Sequence, residues 1–441
     1  MHRLLLLIAA LTATALVVPA SAGASDYVPG EVIVRYKDGT TAKVQDKVEA
    51  VTGTETQRPV PGGSDELAIA DGDSVGETVA ELRADPNVAY AVPNFRAHAS
   101  GRPVRSSGFM PNDPGFRLQW NLSSPYGINM PEAWDLANAR GAPGGRGAVV
   151  AVLDTGVAYE RFGRYRRAPD LNRFVRGYDF VSNDRHPDDQ NGHGTHVAGT
   201  IAESTNNGIG AAGIAYAAKI MPVRVLDADG AGDTVAIARG LRYAAKRGAS
   251  VINLSLEFDS SVRASQIPDI VRAIRYARQK GALVVAAAGN QSASLTAYPA
   301  RARNVLAVAA TTIRGCQADY SNSGSDLDIS APGGGTDAAN NDTAYDAQVC
   351  RPGEAGTYIF QQTFTNGVRS FGLPGGYEGT SMSAPHVSGV AALVIASGRL
   401  GPRPSPRAVE EHLEVTARDL GAPGFDPRYG HGLLDAAAAL R

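Results

Sequence analysis

Five short apolar runs, at 148–153, 219–226, 250–254, 283–288 and 305–309, constrain this 441-residue chain more than any other feature. They consist mainly of Val, Ile, Leu and Ala with little polar alternation, as in strands covered on both faces. Helical stretches lie between and after them, at 194–203, 234–247, 268–280, 383–397 and 407–416. This alternation predicts an α/β domain: a doubly wound, mostly parallel sheet with helices on both faces. Such sheets bind ligands outside the carboxyl ends of their strands. Asp154, Ser255 and Asn290 fall at those ends.

Three element tips carry chemistry. Val152-Leu153-Asp154-Thr155-Gly156 closes a strand, Asn191-Gly192-His193-Gly194-Thr195-His196 opens a helix, and Gly379-Thr380-Ser381-Met382-Ser383-Ala384-Pro385-His386 opens another. Acid, imidazole and hydroxyl arrive in the order Asp, His, Ser, one of the known chain orders of a serine-hydrolase triad. From about Asn112 onward the chain resembles the subtilisin-like serine proteases, the subtilases. The resemblance implies Ser381 as nucleophile, His193 as general base and Asp154 as the acid that orients it. It also implies Asn290, after the 283–289 run, as an oxyanion donor beside the Ser381 N–H. In isolation Ser381 reads as a helix N-cap and Asn290 as a turn residue; the constellation reverses both. His196 and His386 read as buried helix residues, since the His-Glu-x-x-His zinc pattern is missing. A second Asp-Thr-Gly, needed for an aspartic protease dyad, does not occur.

For substrate binding, the resemblance implies an edge at Ser255-Leu256-Glu257 that pairs with an extended peptide. Glu257 stands where the family usually has Gly, so its side chain either narrows the non-primed subsites, or favours basic residues in them, or faces solvent. Ala286, Ala287, Ala288 and Gly289, with 291–298 opposite, are expected to line the primary pocket. Those segments are uncharged, which implies an apolar P1 preference. The resemblance further implies a structural calcium site at Asp113, Asp170 and Asn207, with loop carbonyls from Thr205, Ile209 and Ala211. Oxygen ligands suit calcium, though an Asn/Gly turn alone explains the same residues. No catalytic cofactor is expected.

The N-terminus places Arg3 before an apolar stretch and Ala20-Ser21-Ala22, the form of a secretory signal at 1–22. The stretch is shorter than the roughly 20 residues of a membrane span, and nothing later is apolar enough for stable membrane insertion. Residues 25–96 read as β-α-β-α-β, a small α+β ferredoxin-like unit similar to the inhibitor prodomain of secreted subtilases. By that likeness it aids folding, and its C-terminal end is expected to occupy the cleft as a product would. Residues 97–111, rich in Gly, Pro, Ser and Arg, read as an exposed linker open to maturation cleavage. The peptidase domain is then 112–441. Export favours pairing of the two cysteines, Cys316 and Cys350, over separate thiols. Cys350 lies inside the long 335–376 segment, whose structure is not legible. Lys+Arg 42 against Asp+Glu 44 leaves a net charge of −2, which argues against a nucleic-acid partner.

The expected protein is thus a secreted, monomeric endopeptidase of broad specificity, with peptides and its own propeptide as partners. The alternative is a narrow processing protease for one precursor. An esterase using the same triad, a non-catalytic binding protein of the same fold, and a metal-dependent hydrolase using Asp154, Asp188, Asp189, His193 and His196 are further readings, and the last has no recognised ligand spacing.

Overall fold

The structure, a computed structural model, describes residues 27–60, 63–95, 108–339 and 350–441. The expected signal 1–22, the linker up to residue 107 and residues 340–349 lie outside them. The described residues form two compact units, divided between residues 95 and 108.

The first unit comprises β1 (Tyr27–Tyr36), α1 (Ala42–Val51), β2 (Thr54–Val60), β3 (Ser64–Ile69), α2 (Val75–Ala84) and β4 (Val88–Phe95). Its sheet is antiparallel in the order β2-β3-β1-β4. The element order is β-α-β-β-α-β, one strand more than expected, which is the ferredoxin-like arrangement. The missed strand, Thr-Glu-Thr-Gln-Arg-Pro-Val, is almost entirely polar. It runs along the sheet edge, where Pro59 is tolerated because no neighbour needs its N–H. Val32, Val34, Leu67, Val79 and Leu82 form this unit's core. A capping box between Ser74 and Glu77 starts α2.

The second unit runs α3 (Trp120–Ser123), α4 (Met130–Ala139), β5 (Val149–Asp154), β6 (Tyr178–Asp179), α5 (His193–Ala202), β7 (Lys219–Arg224), α6 (Thr234–Lys246), β8 (Val251–Leu254), α7 (Pro268–Gln279), β9 (Leu283–Ala287), β10 (Leu306–Thr311) and β11 (Ile329–Pro332). A two-stranded β12 (Thr363–Phe364) and β13 (Phe371–Gly372) follows, then α8 (Thr380–Ala396), α9 (Pro406–Val415) and α10 (Ala436–Leu440). The main sheet is β11-β10-β9-β8-β5-β7-β6, with every pair parallel. Successive strand residues serve opposite cores. Val150, Val152, Val285 and Val308 face α5 and α8, while Ala151, Leu153, Val284 and Ala307 face α6 and α7. α8 is apolar on nearly all sides and is buried accordingly.

Two strands of this sheet were not expected. β6 is only two residues long, and β11 (Ile-Ser-Ala-Pro) is short and ends in proline. They form the two edges, and the chain covers both. Ser330 of β11 bonds to Gly432 O and Leu434 N, and Asp179 of β6 exchanges main-chain bonds with Asp184. The chain order reverses about β5, since β7 and β8 flank it on opposite sides. That switch point puts the carboxyl ends of β5, β8 and β9 around one crevice. Among the described residues, no helix is long and apolar enough to cross a membrane.

Candidate active site

Asp154 is the last residue of β5 and is fully buried, with Oδ1 accepting the Thr155 N–H at 2.7 Å. His193 opens α5, and its Nδ1 lies 2.7 Å from the same Oδ1. A carboxylate acceptor there puts the ring hydrogen on Nδ1 and leaves Nε2 free as a base. Gly194 makes the approach possible: a Cβ there would stand 2.1 Å from Gly156 O and 3.0 Å from Asp154 Cβ. Burial alone would lower the His193 pKa; the Asp154 charge and hydrogen bond outweigh it and hold the pKa above the usual 6.5.

Ser381 is the second residue of α8. Gly379, its helix-capping neighbour, has φ 141°, ψ 161°, a conformation essentially reserved for glycine. The Ser381 N–H, in the first helical turn, has no acceptor among the described residues, as expected of that position. Ser381 and His193 line one cavity of about 480 Å³ with Ser255, Leu256, Glu257 and Phe258. The Ser381 hydroxyl donates to Ser255 O at 3.2 Å and makes no hydrogen bond to His193. Ser255 Oγ in turn donates to Ser381 O at 2.7 Å.

Asn290 follows β9. Its Oδ1 accepts from Thr380 N at 2.8 Å and from Thr380 Oγ1 at 3.0 Å. These donors fix the amide orientation, so Nδ2 points away from Thr380. Glu257 Oε2 accepts the Asn290 N–H at 2.7 Å, and Oε1 lies 3.4 Å from Nδ2. Glu257 is therefore turned inward. A Cβ at Gly289 would stand 2.6 Å from its Oε2. Ala287, Ala288 and Gly289 are buried, and the Glu257 carboxylate stands beside these uncharged residues, against Gly289. Burial raises the Glu257 pKa, against the lowering effect of its two Asn290 bonds.

His196 and His386 are fully buried. His196 Nε2 meets Ile359 O at 3.0 Å; His386 pairs with Met382 O at 2.8 Å and Asn121 Nδ2 at 2.7 Å. Burial pushes their pKa values down to about 3 and about 4, so both are neutral. Asp189 binds Thr155, Asn191, Gly192 and Thr195 and has no open side for a metal. The five residues of the metal-hydrolase reading do not form a ligand cluster among the described residues.

Asp113, Asp170 and Asn207 do meet. Asp113 accepts from the N–H groups of Asn206, Asn207 and Gly208 at 2.7, 2.9 and 3.2 Å. Asn207 Nδ2 lies 2.6 Å from Asp170 Oδ1, while buried Asp170 Oδ2 has no hydrogen-bond partner among the described residues. Sequence reasoning missed fully buried Glu203, which lies beside Asp170. Burial pushes both carboxyls up; the Asp170 charge adds to the rise at Glu203, and the Asp113 charge adds to it at Asp170. Two buried acids and an unpartnered oxygen fit a hard dication.

Also unread from sequence were Tyr320, whose hydroxyl accepts the Gly379 N–H at 2.9 Å, and Asn322, whose Oδ1 holds the N–H groups of Gln291 and Ala293. No motif marks either residue. The disulfide between Cys316 and Cys350 is formed, with Cα atoms 5.7 Å apart. Beyond it, Thr363 Oγ1 donates to Gly192 O beside His193.

A subtilase-family model matches residues 145–432, and a model of the fervidolysin N-terminal prodomain matches residues 13–94. The thermophilic serine proteinase of Bacillus sp. (strain AK1) is 34% identical over 405 residues, spanning 92% of this chain and 86% of the relative. An extracellular protease of Xanthomonas campestris pv. campestris is 33% identical over 502 aligned positions, covering 98% and 77% respectively. A solved protease structure from Pseudoalteromonas arctica PAMC 21717 superposes with TM-score 0.60 at 36% identity, covering 75% of this chain and 98% of that one.

Proposed function

Because the chain belongs to the subtilase family of serine peptidases and carries a prodomain of fervidolysin type, we propose that it is a secreted endopeptidase made as an inhibited proenzyme. Residues 1–22 direct export. Residues 25–96 inhibit the enzyme within its own chain and assist folding, since a parallel sheet closes through slow, non-local contacts. Cleavage within 97–111 releases a monomeric peptidase of residues 112–441.

In this reading substrate binding turns the Ser381 hydroxyl from Ser255 O to His193; catalytic hydrogen bonds often tighten only in the complex. Oγ attacks the peptide carbonyl carbon as His193 Nε2 takes its proton. Asp154 stabilises the imidazolium. The Ser381 N–H and Asn290 Nδ2 hold the oxyanion. The C–N bond then breaks, the amine leaves with the proton from His193, and water, deprotonated by His193, releases the acyl group. The observation that carries this reading is the 2.7 Å contact of His193 with buried Asp154, at a cavity that Ser381 also lines.

The alanine wall favours apolar P1 side chains, and Glu257 limits their size. That narrowing also supports a second reading, a processing protease with one precursor; casein digestion separates the two. Asp170, Asn207 and Glu203, with Asp113 anchoring the loop, would hold a structural calcium ion that takes no part in the chemistry.

Mass spectrometry of the secreted protein, with and without Ser381→Ala, tests the proposal. The parent should begin within 97–111 and the variant should keep its prodomain. Normal processing of the variant would mean that another protease matures it.

A further inference from the structure

We propose a second metal site, for a divalent ion of the zinc class, formed by Glu160, His186 and Asp188. The Glu160, His186 and Asp188 ligand atoms all lie within 4.8 Å of one another. Asp188 carries the argument. Asp188 is 2% exposed, yet among the described residues neither Oδ1 nor Oδ2 has a hydrogen-bond partner. A buried carboxylate ion without donors is strongly unfavourable unless it takes up a proton or a cation meets it. Its neighbour Asp189, on the same loop, is fully supplied by Thr155, Asn191, Gly192 and Thr195. The deficit therefore belongs to Asp188 and not to its neighbour, and it covers both carboxylate oxygens.

The other two donors are already oriented. The Phe162 ring stacks on His186 at 3.7 Å and 2°. His186 Nδ1 lies 2.7 Å from Glu160 Oε1, which also accepts the Tyr159 hydroxyl at 2.8 Å. The ion would replace the proton between Nδ1 and Oε1, release it to solvent, and take an Asp188 oxygen as its third ligand. One imidazole and two carboxylates suit zinc; calcium takes six to eight oxygens.

The site joins the two segments that carry the Asp154–His193 pair. Glu160 lies just beyond Asp154, and His186 and Asp188 lead into His193. The segments already touch where Val157 N donates to Pro187 O at 3.0 Å. A bound ion would fix their separation.

The test uses full-length Ser381→Ala protein, which cannot digest itself, stripped of transition metals and kept in calcium. Titration calorimetry with ZnCl2 should show one zinc per chain. Asp188→Asn and His186→Ala should each weaken binding about tenfold or more, and Asp170→Asn should not. Without zinc, Asp188→Asn should melt no lower than the Ser381→Ala parent; with zinc, only the parent and Asp170→Asn should gain. Failure of the parent to bind zinc, or equal binding by the parent and both ligand variants, would overturn the site.

Discussion

The hydroxyl of Ser255 donates to the main-chain carbonyl of Ser381 at 2.7 Å. That carbonyl would ordinarily accept from the residue four positions on, but Pro385 stands there and has no N–H. Ser255 supplies the missing donor and ties the end of β8 to the first turn of α8. Ser255→Ala should destabilise the fold by about 1 kcal/mol and lower kcat by up to roughly tenfold, with KM little changed. Unchanged melting and kcat would show that the bond is dispensable.

His193 must be neutral to accept a proton. Its pKa is held above 6.5, so kcat/KM should rise with pH through a limb above that value and fall as pH drops below it. Asp154→Asn removes the charge that raises the pKa and leaves the burial that lowers it. The limb should move to lower pH while the maximal rate falls about 10⁴-fold. A limb that stays in place in the variant would break the assignment.

Glu257 fills space in front of Gly289. Glu257→Gly should open the pocket and raise kcat/KM for a P1 phenylalanine relative to alanine by about tenfold or more, since each methylene accommodated is worth ~1–3 kcal/mol. Profiling on a P1 peptide series reads this directly. An unchanged ratio would place Glu257 outside the specificity determinants.

Removing calcium should lower the melting temperature of Ser381→Ala protein by several degrees, as expected when a ligand held well above its Kd is withdrawn. Asp170→Asn should abolish the difference between calcium and EGTA. Identical melting of the parent in both would mean that no such ion is bound.

The sheet was legible where strands are long and apolar, because burial on both faces writes itself into composition. β2 and β6 escaped because edge strands need no apolar run, and β11 because four residues ending in proline carry little pattern. At the site, Asp154, His193 and Ser381 stood out because their tips demand glycine and small neighbours in fixed order. Glu203, Tyr320 and Asn322 did not, since their roles depend on partners far away in sequence. Glu257 was visible as a departure, but its direction was set by the Asn290 N–H, which only the fold brings near.

The covered rims of the main sheet bear on how such a molecule survives at high concentration. Ser330 spends its outward main-chain groups on residues 432–434, and Asp179 spends its own on Asp184. Among the described residues neither margin offers a free row on which another copy's strand could template, so crowding should not seed fibrous self-association through this sheet.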